Sequence, residues 1–180
     1  MSREYFLRTC ADDGTSHGGF RWPLDIGAEV EAPDWAPAPV CGNGLHGIRD
    51  GAGDGVFLSL DPDAVWMVFS ADAGTAIDLG GKSKVGRARV EYVGDRSGAA
   101  DFLVAHGANP AKCIGYTITG GSGATLTGGD YATLTGKWWD EASNRYRIAV
   151  GYVGEGGIEA GHTYRIDGRG CFLAVEEPGQ

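Results

Sequence analysis

The sequence lacks any apolar run long enough to cross a bilayer, and it shows no secretory apolar segment near its first residues. These two absences predict a cytoplasmic protein with no membrane partner. The four cysteines, Cys10, Cys41, Cys113 and Cys171, include no Cys-x-x-Cys pair, which argues against a zinc ribbon and a redox-active dithiol. We expect reduced thiols, and no cofactor is predicted.

Basic residues are scarce: 15 Lys and Arg face 24 Asp and Glu, so the net charge is −9. That balance argues against broad binding to phosphate backbones, and no direct contact with nucleic acid is predicted. Between Cys10 and Gly81, twelve acidic residues are opposed only by Arg21 and Arg49. Two interpretations stay open for this acidic half: a soluble surface that resists association, or a face that docks on a basic groove of a partner.

Long runs of helix-forming residues are also missing, whereas glycine is abundant, with 32 in 180 residues. One segment is internally repeated, because Thr117, Thr125 and Thr133 each open a Thr-Ile/Leu-Thr-Gly motif eight residues apart. A short fixed period is typical of a β-roll, with threonines outward and Ile or Leu inward. The Gly-Gly pairs 120–121 and 128–129 are predicted to form the corners, since glycine adopts the required backbone angles without strain.

The other local patterns predict short strands and one or two short helices. Asp61-Pro62-Asp63 is typical of a helix start and predicts a helix through Phe69, with a strand as the alternative. Strands are predicted at 5–7, 56–60, 85–93 and 145–152, a hairpin at 164–175 and a helix at 98–106.

The fold class that follows is mainly β or α+β. We predict a small twisted antiparallel sheet domain with one or two short helices and a short octapeptide β-roll segment. The expected organisation is a β-rich globular part at 1–116, the repeat segment at 117–136, and C-terminal strands at 137–180 that pack back on the domain.

Several short motifs follow one another in a recognisable order. They are Gly19-Phe20-Arg21-Trp22, Gly27-Ala28-Glu29, Cys41-Gly-Asn-Gly-Leu-His46, Lys82-Ser-Lys-Val85, the octapeptides, and a hairpin that carries Tyr164. Through them most of the chain resembles a family of uncharacterised phage and prophage proteins, although Leu45 and Ile48 depart from the family's Phe and second Cys. The resemblance implies a mobile-element origin and the cytoplasm of a bacterial host cell, and it implies no established activity.

The sequence gives only weak indications of metal binding or catalysis. His17, Cys41 and His46, with Cys10, are ligand types, but they supply only one short-spaced pair, so a structural turn is favoured over a zinc site. A Cys41 nucleophile activated by His46 is disfavoured because the base normally comes from elsewhere in the fold. An ADP-ribosyltransferase-like enzyme remains an alternative, yet no paired catalytic Glu motif is visible in the C-terminal half. No catalytic residue is assigned.

We therefore expect a non-catalytic interaction protein that binds a host protein, for example to inhibit a bacterial defence system, with small-nucleotide binding as the alternative. The binding residues proposed are tryptophans, arginines and one histidine: Trp22, Trp35, His46, Trp66, Arg87, Arg89, Trp138, Trp139, Arg145 and Arg147. Fewer than three octapeptides cannot bury a core alone, which predicts a homo-oligomer. Its interface residues would be Ile118, Leu126, Tyr131 and Leu134.

Overall fold

The computed structural model describes residues 2–175, and it is mainly β with one α-helix in that part of the chain. The chain divides between Ala108 and Asn109 into two compact units. The fold class expected from the sequence is confirmed. The finer boundaries at 116 and 136 stay a prediction. Within residues 2–175, no helix has the length and apolar character needed to span a membrane.

Unit 1, the part before Asn109, is built on a seven-stranded sheet with the order β2-β7-β4-β1-β3-β6-β5. Its strands are β1 (Arg3–Cys10), β2 (Glu29–Glu31), β3 (Leu45–Arg49), β4 (Val65–Asp72), β5 (Ile77–Asp78), β6 (Ser83–Val85) and β7 (Arg87–Gly94). The helix α1 (Arg96–Ala105) follows β7, and two 3-10 turns lie at His17–Gly19 and Gly55–Phe57. All strand pairs in this sheet are antiparallel.

The core of unit 1 is a stack of aromatic rings on one face of this sheet. Phe69 stacks on Phe6 and on Trp22, with ring centroids 5.1 Å apart in both pairs. Gly47 allows this packing, because a Cβ atom there would lie 2.7 Å from the ring of Phe69. Aromatic stacking at this distance adds to the free energy gained from burial alone. The sheet therefore holds β1 and β3 in fixed positions around the Trp22 ring.

Two expectations for unit 1 are wrong. The helix favoured at 61–69 is wrong and the strand kept as its alternative is confirmed, since the segment forms the central strand β4; the Asp61 side chain accepts from the backbone N–H of Asp63 at 2.9 Å, closing a turn. The β-branched and aromatic residues of β4 fit a fully buried strand between β1 and β7. The strand expected at 56–60 is wrong: its first part belongs to the 3-10 turn Gly55–Phe57, in which Val56 is 73% exposed, and Leu58 after the turn is buried.

The helix expected at 98–106 is confirmed, with its start two residues earlier. Asp95 is its N-cap, and its side chain accepts from the backbone N–H of Gly98 at 2.8 Å. Gly107 follows the last turn with φ of +101°, a left-handed angle that glycine adopts without steric cost. The C-terminal hairpin is confirmed as well.

Unit 2, from Asn109 onward, contains two three-stranded sheets with the orders β11-β10-β8 and β13-β12-β9. The strands are β8 (Thr117–Gly120), β9 (Thr125–Thr127), β10 (Thr133–Asp140), β11 (Arg145–Tyr152), β12 (Thr163–Ile166) and β13 (Phe172–Ala174). β8 pairs in parallel with β10, so that Thr117 lies opposite Thr133, whereas β9 belongs to the other sheet. Successive octapeptides therefore alternate between two sheets, and the structural repeat is 16 residues.

The C-terminal strands complete the core that the repeats cannot bury alone. Leu126 and Leu134 are 2% and 0% exposed, and they pack with Val153, Ile158 and Tyr164 from outside the repeats. β11 continues the first sheet beside β10, and β12 continues the second beside β9. Burial of the apolar repeat residues is thus achieved within one chain.

The role predicted for the Gly-Gly pairs is corrected by the backbone angles. Gly120 and Gly128 do not adopt left-handed angles; a Cβ atom at Gly128 would instead lie 2.8 Å from the Cβ of Ala132. The left-handed positions of the two turns are Gly123, with φ of +77°, and its equivalent Tyr131, with φ of +55°. Glycine follows Thr-x-Thr because it points inward, where the unit has no room for a side chain.

Candidate functional site

Threonine pairs lie on the outer faces of both sheets of unit 2. On the first sheet, Thr117 and Thr119 of β8 lie opposite Thr133 and Thr135 of β10. We call these four residues the first threonine face. The hydroxyls of Thr119 and Thr135 are hydrogen-bonded at 2.9 Å, and Thr135 also donates to the carbonyl of Ile118 at 3.3 Å. The rows of hydroxyls therefore run across the strands in register.

The second sheet repeats this arrangement on the other side. Thr127 of β9 lies opposite Thr163 of β12, and their hydroxyls are 2.8 Å apart. Thr125 lies two residues before Thr127 and is exposed. We call Thr125, Thr127 and Thr163 the second threonine face. The alternation Thr-Leu-Thr produces both faces, because consecutive side chains on a strand point to opposite sides.

The spacing of these hydroxyls is set by the backbone. Neighbouring strands lie about 4.8 Å apart, and residues two positions apart along a strand are separated by about 6.6 Å. β-Branched threonine has few rotamers, so each hydroxyl and methyl group is held in a narrow range of positions. Such a surface offers hydroxyl donors and acceptors at regular intervals to a layer of water.

A cavity of about 850 Å³ in unit 1 is the second candidate site. Its lining includes Arg8 from β1, Trp22, His46 from β3, and Lys82 beside β6. The Arg8 guanidinium lies over the Trp22 ring, 4.2 Å from the centroid, and donates to the backbone carbonyl of His46 at 3.2 Å. Burial lowers the pKa of Arg8 to about 10, and the nearby Cys10 thiol opposes that shift.

Protonation of the His46 side chain is electrostatically unfavourable. Burial lowers its pKa, and the positive charges of Lys82, Lys84 and Arg8 lower it further, while a hydrogen bond to the backbone of Gly44 opposes the shift. The imidazole is therefore neutral near pH 7. Its Nε2 atom is buried, and no group among residues 2–175 hydrogen-bonds to it.

A fully buried lysine fixes the loop that closes one side of this cavity. Lys84 is 0% exposed, and its Nζ donates to the carbonyls of Val40 at 2.9 Å and Gly42 at 3.0 Å. Burial of an ammonium group is costly unless it is hydrogen-bonded, so these bonds hold the loop strongly. The same loop carries the exposed Cys41, whose sulfur lies 3.3 Å from the Nζ of Lys82.

The residues proposed from the sequence as binding residues are scattered. Only Trp22 and His46 line the cavity in unit 1. Trp66 is a core residue of β4 that is 5% exposed, and Trp35 lies against Gly44 and Gly86. Arg87 and Arg89 are exposed on β7, where Arg87 pairs with Glu31 at 3.1 Å.

The four binding residues proposed in unit 2 lie close together, at the end of β10 and the beginning of β11. Trp138 lies opposite Arg147, while Trp139 is 40% exposed with its ring on Tyr146. Arg147 is paired with Asp140, and hydrogen bonds from Ser143 and Arg147 lower the pKa of that carboxyl group. Arg145, opposite Asp140, is exposed. These groups pair mainly with one another.

The other residues proposed from the sequence have structural surroundings. His17, Cys41 and His46 all line the cavity, yet nowhere in residues 2–175 do three His, Cys, Asp or Glu side chains form a metal-binding group. Cys10 is buried with its pKa raised by that burial. The proposed oligomerisation residues are Ile118, Leu126, Tyr131 and Leu134; the two leucines are buried within the chain, and the other two are half-buried.

Sequence reasoning missed Arg8, Lys82 and the threonine faces as functional candidates. Arg8 follows the apolar residues Tyr5, Phe6 and Leu7 of β1, and a charge within such a strand is an unusual feature that could have marked it. The threonines were visible as a repeat, and their outward direction was predicted. Their regular spacing across paired strands became apparent only with the 16-residue repeat.

Comparisons with known proteins give one consistent result. The chain is 40% identical over 109 residues to the ice nucleation protein InaU of Pantoea ananas, which is 59% of this chain and 10% of that protein. It is 37% identical over 121 residues to an ice nucleation protein of Pseudomonas syringae pv. syringae, which is 66% of this chain and 10% of that protein. For an ice nucleation protein of Xanthomonas campestris pv. translucens the identity is 38% over 102 residues, which is 56% of this chain and 6% of that protein. No family model and no solved structure matches.

These relatives overturn the phage assignment. Proteins about 40% identical to this chain are ice nucleation proteins, so the resemblance to phage and prophage proteins was wrong. The function inferred with it, an inhibitor of host defence, is wrong on the same finding, and the alternatives, a nucleotide binder or an ADP-ribosyltransferase-like enzyme, have no support from it. The partners expected with it, a host protein and no membrane, are wrong as well. The homo-oligomer was predicted because the repeats cannot bury a core alone, and burial of Leu126 and Leu134 within one chain removes that reason.

The cytoplasmic location is corrected as well. It rested on the phage assignment and on segments missing from the sequence, but the chain spans about a tenth of the length of the curated relatives that it matches. Segments missing from such a span carry no information about location. What the comparisons establish is that this chain is similar to part of several bacterial ice nucleation proteins.

Proposed function

We propose that this chain contributes to ice nucleation by presenting its threonine faces to water. The observation that carries the proposal is the in-register pairing of Thr117 and Thr119 with Thr133 and Thr135 across β8 and β10. The relatives named as ice nucleation proteins support the same function.

The physical argument concerns order in the first layer of water. Hydroxyls at about 4.8 Å across strands and about 6.6 Å along them hold water molecules at repeated positions. Those intervals are similar to oxygen repeats at the surfaces of ice crystals, so the layer resembles the start of a lattice. The threonine methyl groups limit the directions in which bound water can hydrogen-bond, which favours an ordered layer.

The size of the array sets the strength of the effect. Unit 2 contains one complete 16-residue coil and the start of the next, so each face carries only a few hydroxyls. A small array orders few water molecules, and we expect weak nucleation from this chain alone. Adsorption to existing ice requires a smaller ordered layer, which makes it the more sensitive measurement.

The test is partition of the protein into slowly growing ice, with Thr119→Lys as the blocking variant. A lysine side chain rises above the first threonine face, and we expect the fraction of protein in ice to fall to that of an unrelated soluble protein. Thr75→Lys is the matched control, since Thr75 is exposed in unit 1 and its hydroxyl donates only to the carbonyl of Asp72. Equal partition of both variants and the parent would contradict the proposal.

A further inference from the structure

Three residues that line the cavity in unit 1 each carry a buried side-chain nitrogen atom without a protein partner. These atoms are Arg8 Nε, Trp22 Nε1 and His46 Nε2, and none of them is hydrogen-bonded within residues 2–175. Trp22 is only 2% exposed, so its indole N–H is removed from bulk water. Buried polar groups of this kind are rare in folded proteins. The Arg8 and Trp22 nitrogens are donors, and the His46 Nε2 atom becomes a donor when the imidazole is protonated, so together they suit a ligand that accepts hydrogen bonds.

The charges around the cavity are almost all positive. Arg8 and Lys82 line it, and Lys84 lies close enough to lower the pKa of His46. Asp34 is the acidic residue of the lining, and it is exposed. In a chain with a net charge of −9, this concentration of cations runs against the overall composition. A negative charge on the ligand would balance these positive charges.

The remaining walls are apolar. Phe20, Phe57 and Leu58 line the cavity, and the Nζ of Lys82 lies 4.4 Å from the centroid of the Phe57 ring. The cavity volume of about 850 Å³ lies within the range of small-molecule sites. An occupant thus needs an apolar body as well as a negative group.

We propose that this cavity binds a small organic carboxylate, with the carboxylate at Arg8, Trp22 and His46 and an apolar body against Phe20 and Phe57. A carboxylate is an acceptor with two oxygens, which matches donors on a guanidinium, an indole and an imidazolium. The site is separate from the threonine faces, so its failure would leave the proposed ice function untouched.

Proton uptake distinguishes this site from a surface patch. His46 is neutral in the free protein, and Arg8, Lys82 and Lys84 are the charged groups that face it. A bound carboxylate raises the pKa of His46, because the imidazolium then gains an opposite charge and an acceptor at Nε2. Binding therefore takes up a proton, and affinity rises as the pH falls from about 8 towards about 6.

The experiment is titration of the full chain with benzoate, followed by calorimetry and by the Trp22 indole cross-peak in ¹H–¹⁵N spectra. We expect millimolar or tighter binding that moves this cross-peak, at least tenfold weaker binding of the neutral isostere benzamide, and tighter binding at lower pH. Inorganic phosphate is the competing probe. If it binds more tightly than benzoate, the site is an anion site of another class and the proposal is overturned.

Two variants and a control locate the binding. Arg8→Met should weaken benzoate binding at least tenfold, and Lys82→Met, which changes a half-buried side chain at the rim, should weaken it several-fold without affecting the fold. Arg87→Met, on exposed β7, should leave affinity unchanged. If Arg8→Met does not fold, Lys82→Met still decides. Silence of the wild-type protein towards benzoate, or equal losses in Lys82→Met and Arg87→Met, would overturn the proposal.

Discussion

The two units of this chain use buried polar groups in opposite ways. The buried polar side chains found in residues 2–175, Ser70, Ser83 and Lys84, all lie in unit 1. In unit 2 the described core is apolar apart from the tyrosine hydroxyl of Tyr164, while the threonine hydroxyls point outward. Unit 1 thus places single polar groups at specific positions, among them Lys84, which holds the loop beside the cavity, and unit 2 repeats one small pattern across a surface. The first arrangement suits a ligand, and the second suits a lattice.

The 16-residue repeat gives the largest expected effect. One extra octapeptide, Thr-Leu-Thr-Gly-Gly-Asp-Tyr-Ala, inserted after Ala132 would move β10 to the sheet of β9 and separate it from β8. Two extra octapeptides would return it to its own sheet. We therefore expect the single insertion to abolish protection of the β10 and β11 amides in hydrogen exchange, and the double insertion to preserve it.

The same pair of variants tests the function. The double insertion extends both threonine faces by one coil, so partition into ice should increase, while the single insertion should lose it. Equal protection in the two variants would show that octapeptides do not alternate between sheets, and the comparison between the units would then lose its basis.

A core truncation in unit 2 comes next in size. Leu134 is fully buried, and Leu134→Ala should lower the free energy of unfolding of this unit by about 2–5 kcal/mol. Leu173→Ala is the control, because Leu173 on β13 is 39% exposed. We expect it to change the free energy of unfolding by no more than about 0.5 kcal/mol. Urea denaturation followed by Trp138 and Trp139 fluorescence measures both. A small loss for Leu134→Ala would mean that the repeat core is loosely packed.

The repeat explains how far sequence reasoning could go. Thr117–Gly136 predicted the β-roll and the directions of its side chains because each octapeptide contains its own pattern. It did not predict that alternate octapeptides lie on different sheets, since that depends on pairing of β9 with β12, 36 residues away at Thr127 and Thr163. The local pattern gave the strand, and long-range pairing gave the sheet.

The cavity was less predictable for the same reason. Arg8, Trp22, His46 and Lys82 come from four separate segments. Antiparallel pairing of β1 with β3 and of β3 with β6 brings three of them together, and stacking on Phe69 places Trp22 beside them. Trp22 and His46 were selected as residues of a binding type, but their partners were not. The strand β4 was mistaken for a helix because the local signal at Asp61-Pro62-Asp63 marks a turn just as well.

Glycine substitutions give a smaller effect that separates packing from backbone freedom. Gly128→Ala would place a Cβ atom 2.8 Å from that of Ala132 and 3.0 Å from a Leu134 methyl group, so it should cost about 1–3 kcal/mol. Gly121 meets nothing within 4 Å and has no left-handed angle. Gly121→Ala should therefore be neutral or stabilising by up to about 1 kcal/mol. Equal losses in both variants, measured by thermal denaturation, would favour the corner role first predicted for both glycines.

The smallest expected effect is the pH dependence that His46 gives to unit 1. Its pKa is lowered in the folded state by burial and then by Lys82, Lys84 and Arg8, whereas the unfolded chain keeps a value near 6.5. Below that value the unfolded state binds the proton more readily than the folded state, so folding stability declines as the pH falls from about 7 towards about 5. Partial solvent exposure keeps the loss small.

His46→Gln isolates this contribution. Glutamine retains a hydrogen-bonding side chain but does not titrate. The decline in folding stability from about pH 7 to about pH 5 should therefore be shallower in this variant than in the parent protein. His106→Gln is the control, because His106 stacks on Phe102 at the exposed surface of α1, outside the cavity. If both variants flatten the pH profile equally, the surroundings of His46 do not lower its pKa as burial and the nearby cations require. If only His46→Gln does, burial and the cations beside the cavity act on His46, and this coupling to pH is a property that the threonine hydroxyls of unit 2 lack.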